Sequence, residues 1–164
     1  MRHLSHPVTL GMMVGLAAAL QLGPVYWLGG GYVLSMLSTL PVAAGAALAP
    51  RKAPLLFAAG ALVVGAFSTD ELFVFLLMTG LLGVALGLTA RRPTWRSALI
   101  SAGTLAGGML LLHPLVGIWP WGGVEQAWPT PVRLSAYAGF ALAWAGLWCL
   151  LFRQIWRRVV KALG

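Results

Sequence analysis

Charged residues are scarce in this chain, and acidic residues are the scarcest of all. Only 9% of the 164 positions are charged, and only three of them are Asp or Glu. An ordinary soluble domain carries about 25% charged residues. Hydrophobic residues make up 60% of the positions, which is more apolar surface than a fold of this size can hide from water. We therefore expect the apolar side chains to face lipid.

The chain also lacks the residue sets that redox, metal and hydrolytic chemistry require. Its single cysteine, Cys149, excludes an intramolecular disulfide and a CxxC pair. Its three histidines, His3, His6 and His113, form no HExxH motif, and neither a Gly-x-Ser-x-Gly elbow nor a GxxxxGK[ST] loop is present. Two histidines near the start are more typical of a solvated terminus than of a metal site. We predict no enzyme activity, no cofactor and no metal, so any ATP-driven step has to come from a partner.

The net charge of +8 does not indicate nucleic-acid binding. A nucleic-acid footprint gathers basic residues on one water-facing surface of a soluble domain, whereas here they occupy short gaps between apolar runs. Retention of cationic loops on the inner side of a membrane explains this pattern better, with attraction to anionic lipid as a secondary effect. We predict a lipid bilayer as a partner and no nucleic acid.

Six apolar runs are candidates for transmembrane helices, each limited by charge, Gly or Pro. They cover residues 7–22, 31–48, 54–67, 72–89, 97–118 and 134–155, and the first and third are short for a full crossing. The first run also has features of a signal peptide, but it continues past Ala17, Ala18 and Ala19, so we interpret it as a helix. Runs that are apolar on both faces do not fit barrel strands, which alternate. The prediction is an all-α polytopic membrane protein in which residues 1–164 form one transmembrane domain.

The distribution of charge predicts the orientation. If the first helix enters from the cytoplasm, the inner segments hold ten of the eleven Lys and Arg residues. These are Arg2, Arg51, Lys52, Arg91, Arg92, Arg96, Arg153, Arg157, Arg158 and Lys161. The outer segments hold all three acids, Asp70, Glu71 and Glu125, together with Arg133. Every loop then obeys the positive-inside rule, which predicts an even number of helices and cytoplasmic N- and C-termini.

Polar and aromatic residues concentrate at the predicted outer surface, and two interpretations of them are open. Trp and Tyr form interfacial belts in most membrane proteins. Aromatic faces with a few fixed polar groups also suit a flat organic ligand, including a cationic one held by cation–π contact. The candidate substrate-binding residues are Tyr26, Trp27, Tyr32, Asp70, Glu71, His113, Trp119, Trp121, Glu125 and Trp128.

The first helix carries a strip of small residues, Gly11, Gly15 and Ala19, at a spacing of four. Positions four apart lie on one face of a helix, so the strip forms a smooth surface on which another helix can approach closely. That other helix belongs either to a partner protein or to this chain itself. Both possibilities are open from the sequence.

The run GGYVLSMLSTLPVAAGAALAPRKAPLLFAAGALVVGAFS, followed by LFVFLLMTGLLGVALGL, resembles the substrate-binding S components of energy-coupling factor transporters. The matching features are the Leu-Pro pair at residues 40–41, the turn at residues 49–52 and the Gly-Leu-Leu-Gly sequence at residues 80–83. The resemblance covers residues 8–118. The turn departs from the family, in which a Gly-rich turn is commoner than the Pro-Arg found here.

The resemblance implies a membrane-embedded subunit that captures a vitamin or similar small organic micronutrient in a prokaryotic plasma membrane. Its implied partners are a transmembrane T component and two cytoplasmic ATPase subunits. Gly15 and Ala19 match the Ala-x-x-x-Ala face that docks the T component, with Gly in place of the first Ala. The ligand is expected near the outer surface, under the first outer loop and among the last three helices. The alternative function is a noncatalytic membrane scaffold or assembly subunit.

Overall fold

Every regular element in the described part of the chain is helical, which confirms the predicted all-α class. The computed structural model describes residues 7–27 and 29–162, apart from the side chains of residues 160 and 162, so Arg2, His3 and His6 lie outside it. The α-helices are α1 (Pro7–Gln21), α2 (Gly23–Tyr26), α3 (Gly31–Leu37), α4 (Thr39–Leu48), α5 (Ala53–Gly65), α6 (Thr69–Val74), α7 (Gly80–Thr89), α8 (Thr94–Val116) and α9 (Thr130–Ala162). A π-helical segment, Phe75–Thr79, joins α6 to α7, and 3₁₀ turns cover Pro50–Lys52 and Val124–Ala127.

These helices form six rods. Rod 1 is α1, rod 2 is α3 with α4, rod 3 is α5, rod 4 is α6 with the π segment and α7, and rods 5 and 6 are α8 and α9. Ser38 keeps rod 2 continuous because its own backbone is helical. Rods 2, 4, 5 and 6 are long and apolar enough to cross a membrane. Rods 1 and 3 have 15 and 13 residues, roughly 20 Å each against a hydrocarbon thickness of about 30 Å. A count of six crossings therefore stays a prediction.

The rods run between the same two ends, and the charges separate between those ends. One crevice is lined by residues from three different parts of the chain, namely Pro50, Arg91 and Lys161. The two turns and the last turn of α9 that carry these residues therefore meet at one end. At the other end, Gln21 in the last turn of α1 bonds to Glu71 in the first turn of α6. We call these the basic end and the acidic end. All of the acids lie at the acidic end, as the charge pattern predicts.

Two helices begin three residues before their predicted approximate starts, one at a capping serine and the other after a proline. Rod 4 begins at Thr69 and not at residue 72, because Ser68 Oγ accepts a hydrogen bond from the backbone N–H of Glu71 at 3.3 Å. α8 begins at Thr94 and not at residue 97, directly after Pro93, whose backbone is not helical. Apolar content sets neither boundary.

α9 extends beyond both predicted limits of the sixth helix, residues 134 and 155. It has 33 residues and is about 50 Å long, so it exceeds the hydrocarbon thickness by several turns. Its first turn contains Pro131, which suits a helix start, and its last turns carry the basic residues of the tail. The outer loop, predicted to be irregular over residues 119–133, accordingly ends at α9 and contains the 3₁₀ turn Val124–Ala127.

Rods 2 and 4 form the centre of the bundle. α4 packs along α7, with α1 and α5 on one side of this pair and α8 and α9 on the other. The core on the side of rods 5 and 6 includes Leu82, Leu86 and Trp148, and the core on the side of rods 1 and 3 includes Val64 and Phe75. Rod 4 contributes to both cores, so it ties the two halves of the bundle together.

Large apolar side chains cover the outside of the rods. Leu62 is 77% exposed and Met12 is 70% exposed, and many other Leu, Val and Ile side chains are similarly uncovered. Leaving apolar surface in water costs about 25 cal/mol for each Å². This exterior is compatible with a membrane protein, because hydrocarbon removes that cost.

Glycines bring rod 4 into backbone contact with its neighbours. A Cβ added to Gly83 would lie 2.8 Å from the Thr39 carbonyl oxygen of rod 2. A Cβ added to Gly108 of α8 would overlap the carbonyl oxygen of Leu77 in the π segment. Close approach of this kind is typical of helix packing in membranes, where small residues let backbones meet.

We expect Gly108→Ala to destabilise the bundle, because α8 has to move away from Leu77 to make room. Overpacking of this kind costs about 1–3 kcal/mol. The matched control is Gly103→Ala in the same helix, where a Cβ meets nothing within 4 Å and alanine favours the helix. Thermal unfolding in detergent measures the difference. An equal unfolding temperature for the two variants would contradict the close contact.

The six-rod arrangement predicts that Lys52 and Asp70 face opposite sides of the membrane. If α5 does not cross, the two residues lie on the same side. Single cysteines at these positions, probed in intact cells with a membrane-impermeant maleimide, distinguish the cases. The unmodified chain is the control, because its Cys149 is buried. Labelling of both introduced cysteines from one side rules out the six-crossing topology.

Candidate functional site

The ten candidate substrate-binding residues all lie toward the acidic end, but they fall into separate groups. Glu71 belongs to a buried polar network. Trp121, Glu125 and Trp128 form a second group within the last outer loop, and His113 and Trp119 form a third. Among the described residues, no hydrogen bond or ring contact links these three groups to one another. The predicted set is therefore not one continuous site.

Gln21 is the centre of the buried polar network, and its side chain is 0% exposed. Its Nε2 donates to Ser35 Oγ at 2.8 Å and to Glu71 Oε2 at 2.7 Å. Its Oε1 accepts from Ser38 Oγ at 2.9 Å and from Thr79 Oγ1 at 2.6 Å. A primary amide has two donor hydrogens and two acceptor lone pairs, so all four positions are used. We call this the Gln21 network, and it joins rods 1, 2 and 4.

The π segment explains how Glu71 and Thr79 both reach Gln21. Eight residues of regular α-helix turn through about 800°, which leaves the two side chains roughly 80° apart. A π segment absorbs one additional residue, so the eight residues turn through only about 700° and the two side chains point within about 20° of each other. The irregular stretch Phe75–Thr79 therefore aligns both partners with rod 1.

Glu71 connects the network to the surface, since its side chain is half-buried. Oε2 accepts the bond from Gln21, whereas Oε1 has no hydrogen-bond partner among the described residues. The neighbouring Asp70 is exposed. These two carboxylates therefore retain oxygen atoms that can bind a polar solute.

Glu125, in contrast, is engaged by its own loop. It is 0% exposed, and its carboxylate accepts bonds from the backbone N–H of Trp121 at 2.9 Å, the backbone N–H of Gly123 at 3.1 Å and Tyr137 Oη at 3.1 Å. Gly123 has a φ of +93°, a conformation that favours glycine. Burial raises the pKa of Glu125, but these hydrogen bonds lower it more, so its pKa lies below the usual value. Glu125 fastens the loop to α9.

Trp121 is the aromatic anchor of the same loop. Its ring centroid lies 5.5 Å from that of Trp128, 5.1 Å from that of Tyr137 and 5.8 Å from that of Phe140, all in edge contacts. These geometries are the favourable ones for aromatic pairs. Trp121 is thus held over the outer end of α9, and Trp128 lies beside it.

α9 continues this cluster as an aromatic stripe along its length. The stripe repeats every four residues and consists of Phe140, Trp144, Trp148, Phe152 and Trp156. Trp148 and Phe152 are buried in the core, which makes this part of the stripe a packing surface. Trp156 ends it at the basic end, where it lines a crevice.

The third group surrounds Trp119. The rings of His113 and Trp119 have centroids 3.7 Å apart, and Arg133 Cζ lies 5.5 Å from the Trp119 centroid. His113 sits in the last turn of α8, directly before Pro114, and Arg133 sits in the first turn of α9. The contacts therefore tie the ends of rods 5 and 6 together beneath the loop.

The aromatic residues of the first outer loop are open. Tyr26 is 74% exposed, and Trp27 and Tyr32 are also exposed, with the Trp27 ring packed over Gly30. Three crevices in the bundle are lined by none of the ten candidate residues: one lies among rods 1, 2 and 3 beside Phe75, and two open at the basic end.

The small-residue strip of α1 faces away from the rest of the bundle. Gly11, Gly15 and Ala19 are exposed, and a Cβ added to either glycine meets nothing within 4 Å. The opposite face of α1, which carries Ala17, Ala18 and Gln21, is buried. The sequence leaves open whether a partner helix or another helix of this chain packs on the strip. Among the described residues, no other helix of this chain covers it.

Among the described residues, no three His, Cys, Asp or Glu side chains come together as a metal site. Comparisons with protein-family models, with curated proteins and with solved structures find no match to this chain. The resemblance to S components therefore stays a sequence-based prediction.

Sequence reasoning missed most of the Gln21 network. Only Glu71 was a candidate, and the sequence offered two further signals. Gln21 is an isolated amide within an apolar run, and Ser35 and Ser38 are three apart on one helical face. Tyr137, the partner of Glu125, was missed as well, because nothing in the sequence marks which tyrosine meets the loop.

We expect Gln21→Leu to destabilise the bundle strongly, because it leaves three hydroxyl groups and one carboxylate without their partner. Each buried unsatisfied group costs about 1–3 kcal/mol. The matched control is Gln126→Leu, which changes an exposed glutamine at the same end. Thermal unfolding in detergent gives the comparison. Thr79→Val should lower the free energy of unfolding less in the Gln21→Leu variant than in the unmodified protein, because its partner is already gone. If the effects of the two substitutions simply add, the network is contradicted.

Proposed function

We propose that this chain is the solute-capture subunit of an ATP-driven importer of the energy-coupling factor type. The solute is a vitamin or similar small organic micronutrient, taken up from outside across a prokaryotic plasma membrane. The observation that carries the proposal is the two-sided character of α1. One face holds the buried Gln21 network, and the other presents Gly11, Gly15 and Ala19 uncovered.

The uncovered face supports docking of a transmembrane partner. No side chain in the strip is larger than a methyl group, so another helix can approach this face of α1 closely. Close contacts of this kind drive helix association in lipid. A T component is the partner that the resemblance implies for this face. Because α1 also holds rods 2 and 4 through Gln21, a partner bound to α1 is mechanically connected to the acidic end.

Capture of the solute takes place at the acidic end in this proposal. Glu71 Oε1 and the exposed Asp70 offer polar anchoring. Tyr26, Trp27 and Tyr32 offer exposed aromatic faces in the stretch of chain that follows Gln21, the residue that bonds to Glu71. Glu125 does not contact the solute in this proposal. Its carboxylate accepts hydrogen bonds that hold Trp121 and the outer loop in place. A cationic or hydrogen-bond-donating organic solute suits carboxylates combined with aromatic faces.

The driving energy comes from partner subunits. The chain has no GxxxxGK[ST] loop, so two cytoplasmic ATPases supply the hydrolysis. The basic turns at the opposite end of the bundle face the cytoplasm, in agreement with the positive-inside rule.

A second candidate function is a noncatalytic scaffold or assembly subunit. Uncovered glycines occur on other rods too: Gly103 of α8 and Gly139 of α9 are exposed with no atom within 4 Å of an added Cβ. Several bare surfaces favour several helix partners. In this case the outer aromatic residues act only as an interfacial belt.

Co-purification from native membranes tests the proposal, with mass spectrometry of both the proteins and any bound small molecule. We expect a T component, ATPases and one organic solute. Gly15→Leu should remove the T component and the ATPases while the solute stays bound, because it fills the docking face and leaves the acidic end unchanged. Gly103→Leu, an equally exposed glycine on another rod, is the control. Recovery of cell-envelope proteins without ATPases or solute supports the scaffold and refutes the importer.

A further inference from the structure

The basic end contains a crevice that the proposed function does not use. It has a volume of about 460 Å³ and lies between the ends of rods 2 and 4 and the last turns of α9. Volumes of this size are typical of pockets for small organic ligands. We call its three cationic lining residues, Arg91, Arg157 and Lys161, the rim, and its apolar lining residues the floor.

The floor and the rim have opposite chemistry. Leu48, Leu88 and Ala90 supply apolar surface, and Trp156, the last ring of the aromatic stripe, lies beside the cations. The three cations are exposed. A ligand that fits has to carry a negative head and an apolar body, and Trp is the residue that commonly lies where these two environments meet in a membrane.

No Asp or Glu side chain lies beside these cations. The chain has only Asp70, Glu71 and Glu125, and all three lie at the acidic end, where hydrogen bonds involve Glu71 and Glu125. The rim therefore carries an excess of positive charge and attracts an anion. A phosphate group suits it, because arginine binds phosphate through paired N–H groups.

The walls of the crevice are braced. Arg153 Nη2 donates to the carbonyl oxygen of Arg92, which fastens α9 to the turn that carries Arg91. Arg153, Arg157 and Lys161 are four residues apart and lie on one face of α9. A second crevice of about 450 Å³ shares Arg157 and Lys161 and adds Arg153 and Arg158. Arg153 Nε is buried and has no hydrogen-bond partner among the described residues.

We propose that the crevice binds the phosphate headgroup of an anionic phospholipid from the adjoining leaflet. Its acyl chains lie along the apolar floor and the exposed sides of rods 2 and 4. A lipid fits better than a soluble phosphate, because the crevice is formed by the ends of membrane-crossing rods and most of the residues that line it are apolar. Basic pockets between helices on the cytoplasmic side of a membrane commonly bind such headgroups.

Native mass spectrometry and thermal unfolding test this site with the full chain in nanodiscs of phosphatidylcholine, with or without phosphatidylglycerol. We expect phosphatidylglycerol to bind at low stoichiometry and to raise the unfolding temperature. The triple variant Arg91→Gln, Arg157→Gln, Lys161→Gln should bind it about tenfold or more weakly. Its matched control is the triple variant Arg51→Gln, Lys52→Gln, Arg96→Gln, which makes three exposed changes at the same end outside the crevice.

Both triple variants carry the same net charge, since three cations are removed from +8 to give +5 in each. Equal loss of binding in both would mean that only overall charge matters, and the site would be refuted. Displacement of the lipid by millimolar inorganic phosphate would show a soluble anion site and would also refute the proposal. A conservative double variant, Arg91→Lys with Arg157→Lys, separates binding from folding. It keeps the positive charge of the crevice and should retain lipid binding. If that conservative variant loses the lipid while unfolding normally in phosphatidylcholine, the assignment to a charged headgroup is wrong.

Discussion

In hydrocarbon, a polar side chain has to find its hydrogen-bond partners inside the protein, because lipid offers none. Gln21 meets this requirement with four bonds, and its partners come from two other rods. The bonds hold rod 1 against rods 2 and 4 at the acidic end. An amide is also specific in a way that leucine packing is not, because each bond requires one donor and one acceptor in a defined direction.

The separation of charge gives the two ends different chemistry. At the acidic end, Glu125 is engaged by the loop, whereas Glu71 Oε1 has no hydrogen-bond partner among the described residues and Asp70 is exposed. At the basic end, no Asp or Glu side chain lies near the described cations of the turns and of α9. The first end suits solute recognition and the second suits contact with anionic headgroups, and rod 1 presents a bare face between them.

Apolar runs predicted the existence of all six rods because burial in lipid demands length and hydrophobicity together. Their boundaries were less predictable. Ser68 starts rod 4 early through a side-chain bond, and the charged end of α9 stays helical although it has left the apolar run. The capping of a helix and its continuation past the end of an apolar run depend on individual side chains. The mean hydropathy of the run does not report these effects.

The candidate site was predictable only where its contacts are local. Glu125 bonds to residues two and four positions away, so a loop built around it was within reach of sequence reasoning. Gln21 bonds to residues 50 and 58 positions away, and those contacts depend on which rods are neighbours. The π segment that aligns the two distant partners has no signal in the sequence, where Phe75–Thr79 resembles any other apolar stretch.

The winding of that segment sets the direction in which the first part of rod 4 faces. Regular α-helix with the same number of residues between Glu71 and Thr79 would turn about 100° further. Everything before the segment would rotate by that angle, so Glu71 would point away from Gln21 and the surface that carries Asp70 would turn with it. The orientation of the acidic end is in this sense governed by a one-residue insertion inside rod 4 and not by the last loop alone.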